Sequence, residues 1–599
     1  MKLFYQRKHT LPSLAPEIVQ SIGQELGLSD IKNLRLTCKV MADLLLYRMF
    51  RTLDLQISRL NMEDGVQKIE ALSKGCGATS AVRELSIGSL SPLNDPTFLH
   101  YSVYDVQTNQ WVPVPFPKPP PEVVKAEERL NQYLFDAITS MRGLYRVKWA
   151  PGKYDGDPVY RHILDALKSL PNLRSLEIHF CKFQIPLELD MFRGLDELVV
   201  STVKSSPLLQ DEILENLAKA IAQNPDLKSL TVTGISHFGR PEANRYQSLH
   251  QLFKYCSTTA PLRLRSLKLK YFLIRLDDIN IRHLQCLTTL SITHVDDPNY
   301  MSPRLVQRGY FFDEKRQPLI QERKLYGSST EEIWQKLIST GIHLEKIAVG
   351  GVPKSLLDYL SSYSGLKELS LIPGGFDEGA TSDAMAIRFF NSTLKSHANS
   401  LELLRVLPHY EGEWCFSSRN SKQISTLTKL RHLAVSIKLS DLKLVSITSN
   451  IQAPLLSQQD AVVSYLIFYC QVPKITTLMM AQTLFLDTTL THMPNIDSID
   501  IRASVLESHR GVKCATIPGQ YSREVYKEIV KCITCYSAPL SCQRLPTLET
   551  GFTKMMFVGM RTMLTSSSDN ENQDVSSLLK YVEATPNITT RRRRPLPEA

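Results

Sequence analysis

The sequence has no long apolar run. Its longest clean apolar stretch, residues 461–470, is interrupted by Ser464 and is about half of what a membrane-spanning helix needs. A membrane is therefore not an expected partner. The opening residues, MKLFYQRKHTLPS, hold no apolar segment of the kind a secretory leader carries. Cysteine is sparse and unpatterned, 11 residues at no regular spacing, and the number is odd. That argues against a disulfide framework and for free thiols in the reducing cytosol or nucleus.

Signature chemistry is missing as well. There is no Walker loop, no G-x-S-x-G, no H-E-x-x-H and no paired C-x-x-C clusters. The 14 histidines are dispersed along the chain. No catalytic residue, resident metal or cofactor is expected. The one C-x-x-C, Cys532 with Cys535, has Cys514, Cys542 and His509 nearby. A structural zinc site needs four converging ligands. Val525, Ile529 and Cys532 recur at helical spacing in YSREVYKEIVKCITCY, so cysteines on a buried helix explain the cluster better.

What is present is ordinary in bulk and patterned in detail. A chain of 599 residues is too long for one compact core and divides into domains or extends by stacking repeats. With 43% hydrophobic and 22% charged residues, wholesale disorder is excluded. A net charge of +10 is modest for this length; it permits an acidic partner without demanding nucleic acid.

Three short amphipathic helices are predicted between residues 11 and 50. Pro16 suits a first helical position, and Ile18, Ile22 and Leu26 recur every four residues as one stripe. Gly27 ends that helix, and Asp30 is placed to cap the second, in which Ile31, Leu34 and Cys38 share a face. In the third, Met41, Leu44 and Leu45 face inward and Phe50 closes the unit. About 40 residues bury too little surface to be very stable alone, so part of the apolar face is expected to meet a partner. The alternative is that these helices form the end of a larger helical core.

The stretch LAPEIVQSIGQELGLSDIKNLRLTCKVMADLLLYRMFRTLDL resembles the F-box, particularly the version common in filamentous fungi. The matching positions are Pro16, Glu17, Ile18, Ile22, Leu26, Asp30, Ile31, Leu34, Arg35, Leu36, Cys38, Lys39 and Phe50. Two positions depart from the pattern. Ala15 stands where the family has the leucine of its Leu-Pro pair, and Met41 replaces a frequent aromatic. The resemblance implies a substrate receptor of Skp–cullin–F-box ubiquitin ligases. In that family the helices pack on the Skp-family adaptor, and through it reach a cullin. The adaptor-contacting residues it implies are Leu14, Pro16, Glu17, Ile18, Ile22, Leu26, Ile31, Leu34, Cys38 and Met41.

After Gln56 the pattern becomes L-x-x-L-x-aliphatic. Strict copies begin at Leu173, Leu195, Leu227, Leu264, Leu287, Leu366, Leu401, Leu430 and Leu439, and looser ones at Val82, Leu144, Leu344, Ile475 and Ile496. One strand and one helix per copy is the arrangement of a leucine-rich repeat. Helical segments such as DEILENLAKAIA fill the intervals, whose lengths are irregular. The predicted fold is α/β: a small three-helix F-box followed by an irregular leucine-rich-repeat solenoid with a parallel sheet. An ordinary α/β domain with a parallel sheet would also produce similar buried strands.

Alternation along each strand sends the leucines to the core and the intervening residues to the concave face. Arg146, Lys148, His179, Lys268, Lys270, Arg405 and His432 are the candidates there for binding a protein substrate. The expected organisation is a tail over 1–9, the F-box over 10–55, repeats over 56–560 with insertions near 91–125 and 294–330, and a disordered basic tail over 565–599. VPVPFPKPPP, residues 112–121, is expected as extended polyproline II, and Arg591 to Arg594 resemble a nuclear import signal. Three functions follow: a ubiquitin-ligase substrate receptor, a non-degradative and possible nuclear scaffold, or an enzyme with an unrecognised site. The substrate itself is not legible.

Overall fold

The computed structural model describes residues 14–75, 77–93, 102–105, 110–113, 119–152, 154–180, 187–202, 207–234, 247–293, 325–373, 379–437, 486, 488–504, 546–550, 553–558 and 580–583. Outside these lie the repeat copies at Leu439 and Ile475, the cysteine cluster around Cys532, the 1–9 tail and Arg591 to Arg594. Two compact units result, Met1–Leu287 with His294–Ser328, and Thr288–Thr293 with Ser329–Ala599.

The first unit opens with four short helices rather than three: α1 (Pro16–Glu25), α2 (Leu28–Arg35), α3 (Lys39–Leu44) and α4 (Leu46–Phe50). Pro16 is the first helical residue of α1, as its missing N–H allows. Gly27, not Asp30, is the residue before α2; Asp30 lies inside its first turn, where a carboxylate favours the helix dipole. Val19, Ile31, Met41 and Leu45 form the core, with Leu14, Leu26, Leu34, Cys38, Leu44 and Met49 packed around them. The face of α1 that turns inward is Val19 and Gly23, so the predicted Ile18–Ile22 stripe points away from the core. Gly23 permits this close packing, since a Cβ there would lie 2.7 Å from Leu45 Cδ2.

The sheet of this unit is parallel: β1 (Thr52–Leu55), β2 (Glu84–Ile87), β5 (Arg146–Trp149), β6 (Ser175–Phe180), β7 (Glu197–Thr202), β8 (Ser229–Thr233) and β9 (Ser266–Lys270), paired in that order. Helices α5 (Met62–Ser73), α6 (Gly77–Ala81), α7 (Pro121–Thr139), α8 (Asp157–Lys168), α9 (Pro207–Ala222) and α10 (Leu249–Phe253) fall between the strands. An antiparallel hairpin, β3 (Ser102–Asp105) and β4 (Gln110–Pro113), ends on Val112 and Pro113, the first two residues of the stretch expected as polyproline II. Pro121 begins α7. The sheet also starts earlier than the repeat pattern, because Leu53 and Leu55 are already strand residues with buried side chains.

In the second unit β10 (Thr289–Thr293), β11 (Lys346–Val349), β12 (Glu368–Leu371), β13 (Leu403–Val406), β14 (His432–Ile437), β15 (Ser498–Ala503) and β16 (Thr547–Thr550) are again parallel. β17 (Thr553–Val558) and β18 (Lys580–Glu583) continue antiparallel. The 580–583 strand lies within the tail expected to be disordered.

Every described repeat copy works alike: the strand begins two residues after the leading apolar residue. Leu173, Leu176 and Ile178, or Leu366, Leu369 and Leu371, are buried, and each such side chain contributes about 1.5–3 kcal/mol. One carbonyl ahead of each strand accepts from two successive amides of the next. Arg83 O takes Tyr145 N at 2.9 Å and Arg146 N at 3.1 Å; Lys367 O takes Glu402 N at 2.7 Å and Leu403 N at 3.0 Å.

The turn before the strand is plugged by a different side chain in different repeats. Asn224 accepts from Leu195 N at 2.8 Å and donates to Phe192 O at 3.0 Å. Tyr359 accepts from Leu344 N at 2.9 Å and donates to Ile342 O at 2.8 Å. His397 Nε2 donates to Leu360 O at 2.8 Å, leaving Nδ1 to accept from Leu366 N at 3.4 Å. His283 Nδ1 accepts from Leu262 N at 3.1 Å.

Both histidines accept a backbone proton only when neutral. Burial holds them below the ordinary value of 6.5, reinforced at His283 by Arg282 and partly offset at His397 by its bond to Leu360 O. A histidine with a lowered folded pKa binds fewer protons than the unfolded chain, so its contribution is full above the unfolded pKa. It is lost as pH falls through the folded pKa. The melting temperature of the full chain should therefore drop as the pH falls below about 6.5, and less steeply in His397→Asn, which adopts the chemistry of Asn224. Equal pH slopes for the two proteins would contradict this role.

Candidate functional site

Two surfaces remain after the core is accounted for. The first is the outside of the N-terminal module. Ile18, Leu28, Leu36 and Val40 are 49%, 59%, 86% and 49% exposed, although each is large and apolar. Pro16 and Glu17 are exposed beside them, and Ile22 is half-buried. Leu14, Leu26, Leu34 and Cys38 are half-buried because they pack on the module's own core. Ile31 and Met41 are fully buried there, so in this arrangement they have no surface to offer a partner. Leu28, Leu36 and Val40 were not among the expected contacts. Tyr47 Oη donates to Gln20 O at 3.2 Å, tying α4 to α1.

The second surface is the face of the sheet turned away from the leucines. In the first unit its charges are largely paired. Arg146 Nη2 lies 2.8 Å from Glu197 Oε2, which also accepts from Ser175 Oγ at 2.7 Å. Lys148 Nζ lies 3.1 Å from Glu177, and His179 Nε2 contacts the same carboxylate. Partial burial pushes the Glu177 carboxyl up, but hydrogen bonds from His179 and Lys148 outweigh it and hold the group below its ordinary value. Tyr145 Oη donates to Glu84 at 2.9 Å, and Lys228 pairs with Asp196 at 2.8 Å.

Lys268 and Lys270 lie on the same face of β9, opposite Thr231 and Thr233 of β8. Among the described residues neither lysine has a carboxylate partner; Lys270 Nζ sits 5.1 Å from the ring centre of Tyr271. In the second unit Arg405 stands between Ser370 and Ala434 on its rung, and His432 Nδ1 shares a 2.7 Å hydrogen bond with Ser498 Oγ. These two do not lie on one rung: His432 is level with Leu403.

Reactive chemistry does not converge on either surface. Among the described residues no group of three or more metal-ligating side chains occurs. Burial pushes the Cys256 thiol up to about 12, far from a thiolate. His250 Nε2 meets Asp277 at 2.6 Å, but Asp277 is occupied with the amides of Ile279 and Asn280, which fixes a turn. No described helix is long and apolar enough to cross a membrane.

The sequence matches no family model and no curated protein. Among solved structures it is similar to one described as "Crystal structure of Rad7 and Elc1 complex in yeast", at 12% identity and a TM-score of 0.28. The match covers 84% of this chain and 96% of that one. A likeness that loose carries no functional argument.

The division of the module into core and surface is testable. Ile31→Ala and Met41→Ala should each destabilise it by about 2–4 kcal/mol and speed protease cleavage within residues 16–50. Ile18→Ala and Leu28→Ala should stay within about 0.5 kcal/mol of the parent. Equal protease sensitivity across all four would contradict the assignment.

Proposed function

We propose that this chain is a non-catalytic substrate receptor of a Skp–cullin–F-box ubiquitin ligase. The helical module docks the Skp-family adaptor and, through it, a cullin; the open sheet face holds a protein target. The observation that carries this reading is the exposure of Ile18, Leu28, Leu36 and Val40 on a module that already has its own core. Large apolar side chains left outside a complete core are what a docking face requires. The F-box resemblance of the segment that carries them, which includes Ile18 and Leu36, supplies the identity of the partner.

The chemistry asked of the chain is proximity. Ubiquitin transfer belongs to other subunits, and a receptor raises the effective concentration of a target lysine beside the charged carrier. Work in the cytosol or nucleus fits this role. Each buried Ile or Leu anchor is worth about 1.5–3 kcal/mol, so loss of two weakens the adaptor complex by about a hundredfold or more.

Ile18→Asp combined with Leu28→Asp should abolish co-purification of the Skp-family adaptor with the full chain. Because both side chains are already exposed, the melting temperature should be unchanged. Undiminished adaptor recovery from the double variant would overturn the reading.

A further inference from the structure

The basic residues of the open face in the first unit are not equivalent. Arg146, Lys148 and His179 are answered within the protein by Glu197 and Glu177. A ligand carboxylate there would have to displace an existing ion pair. The last strand of this unit, β9, is different. Between residues 262 and 275 the sequence, LRLRSLKLKYFLIR, has five cations, Arg263, Arg265, Lys268, Lys270 and Arg275, and no acid. Lys268 is exposed and Lys270 half-buried, and their cross-strand neighbours Thr231 and Thr233 are neutral.

The backbone holds these lysines in place. Gly234 N donates to Lys270 O at 2.8 Å, and a Cβ on Gly234 would lie 2.8 Å from Tyr271 O. Tyr271 itself has φ of 62°, a left-handed conformation costly for a side chain of its size, which turns the chain sharply after Lys270. The two ammonium groups thus leave one strand face in the same direction. Residues two apart on a strand are about 6.5–7 Å apart, the same repeat as alternate residues of any other extended segment.

We infer that the open face of β8 and β9 receives an extended acidic segment of a target protein, with carboxylates of an acid-x-acid pattern against Lys268 and Lys270. The inference rests on the receptor reading and names the class of target for it. Carboxylates are favoured because two separate single charges at strand spacing match two separate ammonium groups. Compact dianions are better served by the fork of an arginine.

The test uses the full chain and a fluorescein-labelled peptide of alternating glutamate and serine, long enough to run the length of β9. Binding should be measurable at low ionic strength and weaken with added salt. Lys268→Met with Lys270→Met should reduce affinity by about tenfold or more, while Lys148→Met, whose lysine is already paired, changes it less than about twofold. Equal binding by the Lys268/Lys270 double variant, or no binding by the parent, would overturn the inference. A phosphoserine peptide binding more than about tenfold tighter than the glutamate peptide would reassign the site to phosphate. Adaptor retention by the double variant should equal that of the parent. If the parent retains no adaptor yet peptide binding depends on the two lysines, the receptor reading fails and the surface assignment stands.

Discussion

Alternation is the constraint on which the rest of this protein depends. In a strand, neighbouring side chains must leave by opposite faces, so a row of buried leucines obliges the residues between them to face out. Parallel register then stacks the outward residues into continuous rungs, such as Glu84–Arg146–Ser175–Glu197–Ser229. Both the core and the binding face follow from this one rule. The doubled hydrogen bond at the carbonyl ahead of each strand repeats from Arg51 to Lys228 in the first unit and from Thr288 to Arg431 in the second. It restores the register after insertions of very different length, which is how so irregular a spacing yields so regular a sheet.

That regularity explains what the sequence made legible. The spacing L-x-x-L-x-aliphatic marks the strands because it reports two buried positions and the apolar residue that leads into them. The turn position that leucine-rich repeats usually fill with one residue type is taken here by Asn224, Tyr359, His283 and His397. These share a hydrogen-bonding task rather than a chemical class, so no letter pattern exposes them. β1 was hidden because Leu53 and Leu55 directly follow the helical module and read as its end. In α1 a period-four stripe was visible, but its direction depended on Gly23, whose missing side chain lets Leu45 in.

The functional surfaces were legible to different depths. Residue types on the open face follow from alternation, yet their pairing does not. Arg146 reaches Glu197 across two strand intervals, and Lys148 reaches Glu177, far away in the chain. Only the register brings them together and so removes them from the pool of available charges. What remains in the first unit, Lys268 and Lys270, distinguishes one strand of a face that composition alone would call evenly basic. On the module, packing separates Ile31 and Met41, which hold it together, from Ile18 and Leu28, which are free to hold something else.

The central claim is that the exposed apolar side of this module is an adaptor-binding face. Amide hydrogen exchange of the full chain, with and without a purified Skp-family adaptor, tests it most directly. Slower exchange confined to residues 16–45 on adding the adaptor is the predicted result. Unchanged exchange across that segment at saturating adaptor would contradict the account.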